Sequence, residues 1–238
     1  MNTSLHAGPE VRACDLGPAI VLVSYRSGAV QVLTGPSREW WRKAARGEGV
    51  DESTPWVSRL LAKGLVGRGA VVARPWPLVP GVAWEPNWGT HELPMGFAPH
   101  PRVPLQDRVW ATIALLVTVT TAVAGSRRRR MMRLVRLVNR VSRRLGRPAS
   151  REQAARVVHA VRRVGMFSPL RTACLEQSVA SAVGLALAGR SVRWCHGVSA
   201  DPVTLHAWIE ADGYPVAEAD SVRRCAVLLA LPPKEKNT

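Results

Sequence analysis

Apolar positions change their period several times along the chain, and each change marks an element. Residues 19–25 and 29–33 are β-branched blocks separated by Arg26-Ser27-Gly28, a turn with glycine available for positive φ, so the pattern predicts a hairpin. After Thr34-Gly35-Pro36-Ser37 the spacing becomes helical. A first helix opens at Pro36 or Ser37 and runs through Arg46; a second spans residues 53–63, with Pro55 in its first turn and Gly64 just beyond its end. Trp56, Val57, Leu60 and Leu61 form the inward face of that second helix.

Residues 71–105 break the period. Eight of the chain's 18 prolines fall there and block helix and central strand, while Trp76, Trp84 and Trp88 predict that parts of this linker lie against a domain surface. Residues 109–125 then carry no charge. A bilayer span needs about 20 apolar residues, and this stretch is shorter and contains Thr112, Thr118, Thr120 and Thr121. It reads first as a buried core helix, next as an interfacial anchor and last as a span. Met131, Leu134, Val135, Val138, Val141 and Leu145 follow at helical spacing, with Arg133, Arg136, Arg140, Arg143 and Arg147 stepping beside them. The pattern is one helix with an oily face and an arginine face. Ser150-Arg-Glu-Gln153 fits a capping box opening another helix, with Ala154, Val157, Val158, Val161 and Val164 facing inward.

At 238 residues, 47% hydrophobic and 21% charged, the chain has room for one or two real cores and lacks the make-up of a disordered, fibrous or multi-span membrane protein. Charge is the outlier. The formal net charge is +16, but residues 127–163 hold 14 arginines and one acid, Glu152, so +13 of it sits in 37 residues. That clustering excludes a uniformly basic nucleic-acid coat protein and points to a local docking face. Cys14, Cys174, Cys195 and Cys225 lie far apart with no CxxC pair, so neither a zinc ribbon, another metal site nor a disulfide framework is expected. Free thiols fit a reducing cytosol. The first residues lack the basic and apolar regions of a secretory signal, so a cytoplasmic location is expected.

Candidate chemistry centres on Cys174, at the start of a helix that ends at Gly189. A helix N-terminus is a partial positive charge that lowers a thiol's pKa and favours the nucleophilic thiolate. The partner segment, Leu205-His206 through Glu218-Ala-Asp220, reads as a hairpin. A three-residue loop at Ala211-Asp212-Gly213 pairs residue 210 with 214 and hence 206 with 218, bringing His206 and Glu218 to one side; a two-residue Asp-Gly turn opposes His206 to Ala219 instead. The first register supplies a thiolate, an imidazole and an orienting acid. Cys195 and His196 point to opposite faces of a short strand, and His159 reads as a surface or packing residue.

Cys174-Leu-Glu-Gln-Ser, followed 32 residues after the cysteine by His206-Ala-Trp-Ile-Glu-Ala-Asp-Gly, resembles the transglutaminase-like cysteine peptidase of lasso-peptide biosynthesis, the leader-peptidase half of the B protein. The resemblance covers roughly residues 106–238. It puts Cys174 in the nucleophile's place and His206 in the base's. Such triads usually end in Asp; here Glu218 fits the three-residue-loop register and is preferred, with Asp220 as its rival. Residues 1–70 are similar to the winged-helix, PqqD-like precursor-recognition element of such pathways. That family adds a leader peptide as a strand to a sheet edge, which implies a leader-binding edge with Val30 and Val32 and a helix face with Trp56, Arg59 and Lys63. Residues 46–52 are too short for the second helix usually present there.

The implied architecture is α+β. A small winged-helix (PqqD-like) domain at 1–70 is followed by a Pro/Trp-rich linker at 71–105. A papain/transglutaminase-like peptidase domain then occupies 106–238, with N-terminal helices and a C-terminal antiparallel sheet. The implied activity is cleavage of the leader–core amide in lasso-peptide maturation without a cofactor; the partners are the precursor leader and the macrolactam synthetase of the pathway. The competing reading is a non-enzymatic winged-helix protein using the arginine helix on nucleic acid or a membrane surface. No aromatic ladder or base-reading motif accompanies the arginines, which disfavours nucleic acid; peripheral membrane contact is compatible with the enzyme.

Overall fold

The computed structural model describes residues 4–69, 76–82, 103–143, 146–167, 172–200 and 202–233. Most of the expected linker, with Trp84 and Trp88, lies outside the described residues.

The N-terminal unit runs β1 (Ser4–Ala7), β2 (Val11–Asp15), β3 (Ala19–Ser24), β4 (Val30–Thr34), α1 (Gly35–Ala45), α2 (Pro55–Ala62), β5 (Val66–Gly69) and β6 (Val79–Pro80). The expected hairpin is β3–β4, turning at Gly28 with φ +74. Two strands that the apolar pattern did not mark, β1 and β2, precede it. The sheet order is β4-β3-β2-β6, and β1 pairs separately with β5. β3 is buried throughout, which its unbroken apolar run reflects: alternate residues serve two cores. Ile20 and Leu22 pack with Trp40, Trp41, Leu60 and Leu65 under the helices. Trp76 stands edge-on to Trp41 at 4.8 Å, so this part of the linker does lie on a domain surface.

The C-terminal unit comprises α3 (Leu105–Val123), a 3₁₀ turn at Arg127–Arg129, α4 (Arg130–Ser142), β7 (Arg147–Pro148), α5 (Arg151–Gly165), α6 (Cys174–Leu187), β8 (Arg190–Ser191), β9 (Arg193–Ser199), β10 (Thr204–Ala211), β11 (Tyr214–Pro215), a 3₁₀ turn at Asp220–Arg224 and β12 (Ala226–Leu231). The main sheet is antiparallel, in the order β11-β10-β9-β12. α6 is the central helix, packed against α3, α4 and α5 and against β9 and β10. Its Ala, Ser and Gly residues permit that crowding; a Cβ on Gly184 would stand 3.2 Å from Val157 Cγ1.

Three expectations need revision. The arginine helix stops at Ser142 rather than reaching Arg147, which lies in β7. The uncharged stretch forms α3, but only one of its faces is buried, with Leu116 58% exposed. The hairpin after Cys174 takes the other register, described below. The Ser150–Gln153 capping box is present.

The other face of β3 joins the two units. Val21, Val23 and Tyr25 share a buried cluster with Met131, Val198, Ala226 and Leu228. Tyr25 Oη hydrogen-bonds His196 Nδ1 at 2.7 Å across 171 residues of sequence. Burial pushes the tyrosine pKa up and the His196 pKa down, to about 4, so this link is between neutral groups.

Candidate active site

Cys174 is the first residue of α6, following the N-cap Ala173. The His206 side chain is the largest influence holding the Cys174 thiol below its usual pKa, helped by the Ala207 and Leu175 backbone amides and opposed by a smaller effect of burial. Of the four cysteines only this one is lowered. Burial raises the others, Cys14 to about 11. His206 answers in the opposite sense: its bonds to Cys174 and Glu218 raise it to about 9. The pair therefore favours thiolate and imidazolium over thiol and imidazole.

His206 Nε2 stands 2.9 Å from Glu218 Oε2, which leaves Nδ1 for the sulfur. The route to this contact differs from the expected one. β10 and β11 pair Ala211 with Tyr214 and Glu210 with Pro215, a two-residue Asp212-Gly213 turn with φ +52 and +80. A continued ladder in that register would put Ala219, not Glu218, opposite His206. The pairing instead ends with the bond from Val216 N–H to Ile209 O, and Ala217 takes the left-handed conformation, φ +53. That local twist brings Glu218 round to the imidazole.

Arg162 of α5 holds the twist. Its Nη1 donates to Ala217 O at 2.5 Å and its Nη2 to Glu218 Oε1 at 2.5 Å. One guanidinium thus fixes the strained carbonyl and the carboxylate oxygen that His206 does not use. Sequence reasoning gave Arg162 no role, because within 14 arginines nothing distinguished it. Asp220, the rival acid, is almost wholly exposed beside Arg223 and takes no part.

The remaining letters of the two motifs have structural work. Glu176, buried, accepts from the Ala173 backbone amide at 3.1 Å and from Arg130 at 2.7 Å, closing the first turn behind Cys174. Ser178 accepts from Trp194 of β9 at 3.0 Å, tying α6 to the sheet. Trp208 lies parallel to the His206 ring at 5.9 Å and donates to Glu210, whose other oxygen accepts from Arg193. Gln177, Ser178 and Ser181 of α6, with Val158, Arg162 and the three candidate residues, line a cleft of about 120 Å³. Among the described residues no cluster of three or more His, Cys, Asp or Glu side chains could hold a metal ion.

Residues 115–230 match the family model of the transglutaminase-like superfamily. The chain therefore carries a transglutaminase-like domain. The match runs from within α3 into β12 and includes all three residues of the Cys174–His206–Glu218 chain; the N-terminal unit lies outside it. No curated protein and no solved structure matches the chain. The transglutaminase-like superfamily includes cysteine peptidases, and the domain is compatible with cysteine peptidase or transferase chemistry.

The residues expected to bind a leader are placed as follows. β4 is the sheet edge, and Val30 and Val32 are exposed on it. They stand opposite Val23 and Val21, on the face turned toward the transglutaminase-like domain. Lys63 approaches the other face, donating to Gln31 Oε1 at 2.7 Å, while Gln31 Nε2 donates to Val32 O. Arg59 is exposed, whereas Trp56 packs mainly into the N-terminal core. β4 thus exposes Val30 and Val32 on one face and has Lys63 at the other.

Proposed function

We propose that the protein is a leader peptidase of lasso-peptide maturation, which binds a precursor leader with its N-terminal unit and hydrolyses the leader–core amide with Cys174, His206 and Glu218. The observation carrying this reading is the continuous chain from a half-buried sulfur at a helix start, through His206, to Glu218. The Cys174 thiolate bonds to the scissile carbonyl carbon, and the first-turn amides of α6 receive the oxyanion. His206 gives its proton to the leaving amine as the C–N bond breaks, leaving a thioester. Water then attacks, His206 takes the water's proton, and the C–S bond breaks to return the thiolate. Arg162 acts as a positioning residue through Glu218.

Leader recognition by a PqqD-like element is supported by the free edge of β4. Ser24 and Ala29 close the hairpin as a hydrogen-bonded pair, so by antiparallel alternation Val30 and Val32 direct their backbone groups outward. A peptide strand added there displaces the Gln31 side chain from Val32 O and presents alternate residues to α2 and to the transglutaminase-like domain. Val32→Pro removes an outward N–H while sparing the β3–β4 ladder. With a lasso-type precursor as substrate, this variant should raise KM about tenfold and leave kcat intact. An unchanged KM removes the edge-strand mode.

A further inference from the structure

From Val109 onward α3 carries no charge and has apolar residues on every side, yet only one of its stripes is covered. Ala111, Ala114, Leu115, Thr118 and Ala122 are buried, while Val109, Trp110, Ile113, Leu116, Val117 and Val123 form the opposite stripe and are 38–64% exposed. A helix apolar all round belongs in a core or in contact with lipid. The threonines beside the exposed stripe are already adapted to an apolar medium. Thr112, Thr120 and Thr121 return their hydroxyls to the carbonyls of Arg108, Leu116 and Val117 one turn back, at 2.7–2.8 Å, so none needs water.

Cationic side chains continue the stripe at its C-terminal end. Val119, Ala122 and Val123 share a groove of about 690 Å³ with Arg127 and Arg130. Arg130 is tied to Glu176, but Arg127, Arg128 and Arg129 are exposed and, among the described residues, enter no salt bridge. No acid occurs between Asp107 and Glu152. An exposed aliphatic stripe bearing a tryptophan and ending in unneutralised arginines complements a surface that is oily within and anionic at its face.

We propose that α3 docks the protein on an anionic membrane, with the stripe in the boundary between headgroups and acyl chains and Arg127–Arg129 on the lipid phosphates. The helix lies in the plane of the surface; among the described residues no helix is long and apolar enough to cross a membrane. The proposal is independent of the peptidase reading.

Flotation of the full chain with vesicles tests it. The protein should float with an equimolar mixture of phosphatidylcholine and phosphatidylglycerol, remain behind with phosphatidylcholine alone, and be released by salt. Trp110→Ser with Leu116→Ser, and separately Arg127→Glu with Arg128→Glu and Arg129→Glu, should each lower partitioning, the charge reversal by about a hundredfold. These positions are exposed and outside the catalytic cleft, and an unchanged melting temperature controls for folding. No flotation of the wild type with either vesicle overturns the proposal, as does flotation that the serine pair does not weaken. So does a concentration-dependent dimer that the serine pair dissolves without vesicle binding, which would assign the stripe to a second copy, or duplex DNA binding without flotation, which would assign the arginines to nucleic acid.

Discussion

Cys174→Ala should fold as the wild type does and cleave a lasso-type precursor at least about ten-thousandfold more slowly. The expected loss is this large because the chemistry has no substitute nucleophile. Cys14 and Cys195 are buried with raised pKa values, and Cys225 is also raised. The fold should tolerate the change: Cys174 is half-buried at a helix end, and the first turn is closed by Glu176 rather than by the thiol. Leader release followed by mass spectrometry, beside melting curves for both proteins, separates the two effects. Cleavage at the wild-type rate would exclude Cys174 as nucleophile.

Glu218→Gln should lower turnover about a thousandfold and also move its pH profile. The active form pairs a Cys174 thiolate with a His206 imidazolium. Its acid limb is the ionisation of a thiol held below its usual range, and its alkaline limb is the loss of the His206 proton near pH 9. Glu218 favours the imidazolium, so neutralising it lowers the His206 pKa and shifts the alkaline limb to lower pH. Arg162→Ala keeps the carboxylate charge but frees its position; a smaller loss, about tenfold, with the alkaline limb retained, is expected. An unmoved alkaline limb in Glu218→Gln would show that the carboxylate does not bear on the imidazole.

The sequence made Cys174 and His206 legible because each stands in a motif whose local structure follows from short-range rules. Cys174 opens a helical run that stops at Gly189, with φ +67, and His206 lies in a strand that turns at Asp212-Gly213. Glu218 meets His206 by a different route from the expected one. The expected ladder register does not occur, and the left-handed Ala217, held by an arginine 55 residues earlier, does the work instead. No periodicity reveals that contact.

The arginine cluster misled in a similar way. Charge counting treats its members alike, yet Arg130 and Arg162 support the site, and Arg133 donates to the Thr121, Ala122 and Ser126 carbonyls at the end of α3. Tertiary contacts, not composition, separate these from the exposed remainder. β1 escaped notice because it is short and pairs with a strand some 60 residues away, a partner that no local pattern supplies.

Cys174 should rest as a thiolate paired with His206, and the pH dependence of its alkylation tests this without any substrate. With iodoacetamide and peptide mapping, Cys174 should be modified at a lower pH than an ordinary thiol of pKa about 8.5. Cys14 and Cys195 should stay unmodified, and in His206→Ala the reaction at Cys174 should appear only toward the ordinary thiol range. Alkylation of Cys174 that follows an ordinary thiol titration in the wild type, unchanged by His206→Ala, would show that the two side chains are not coupled.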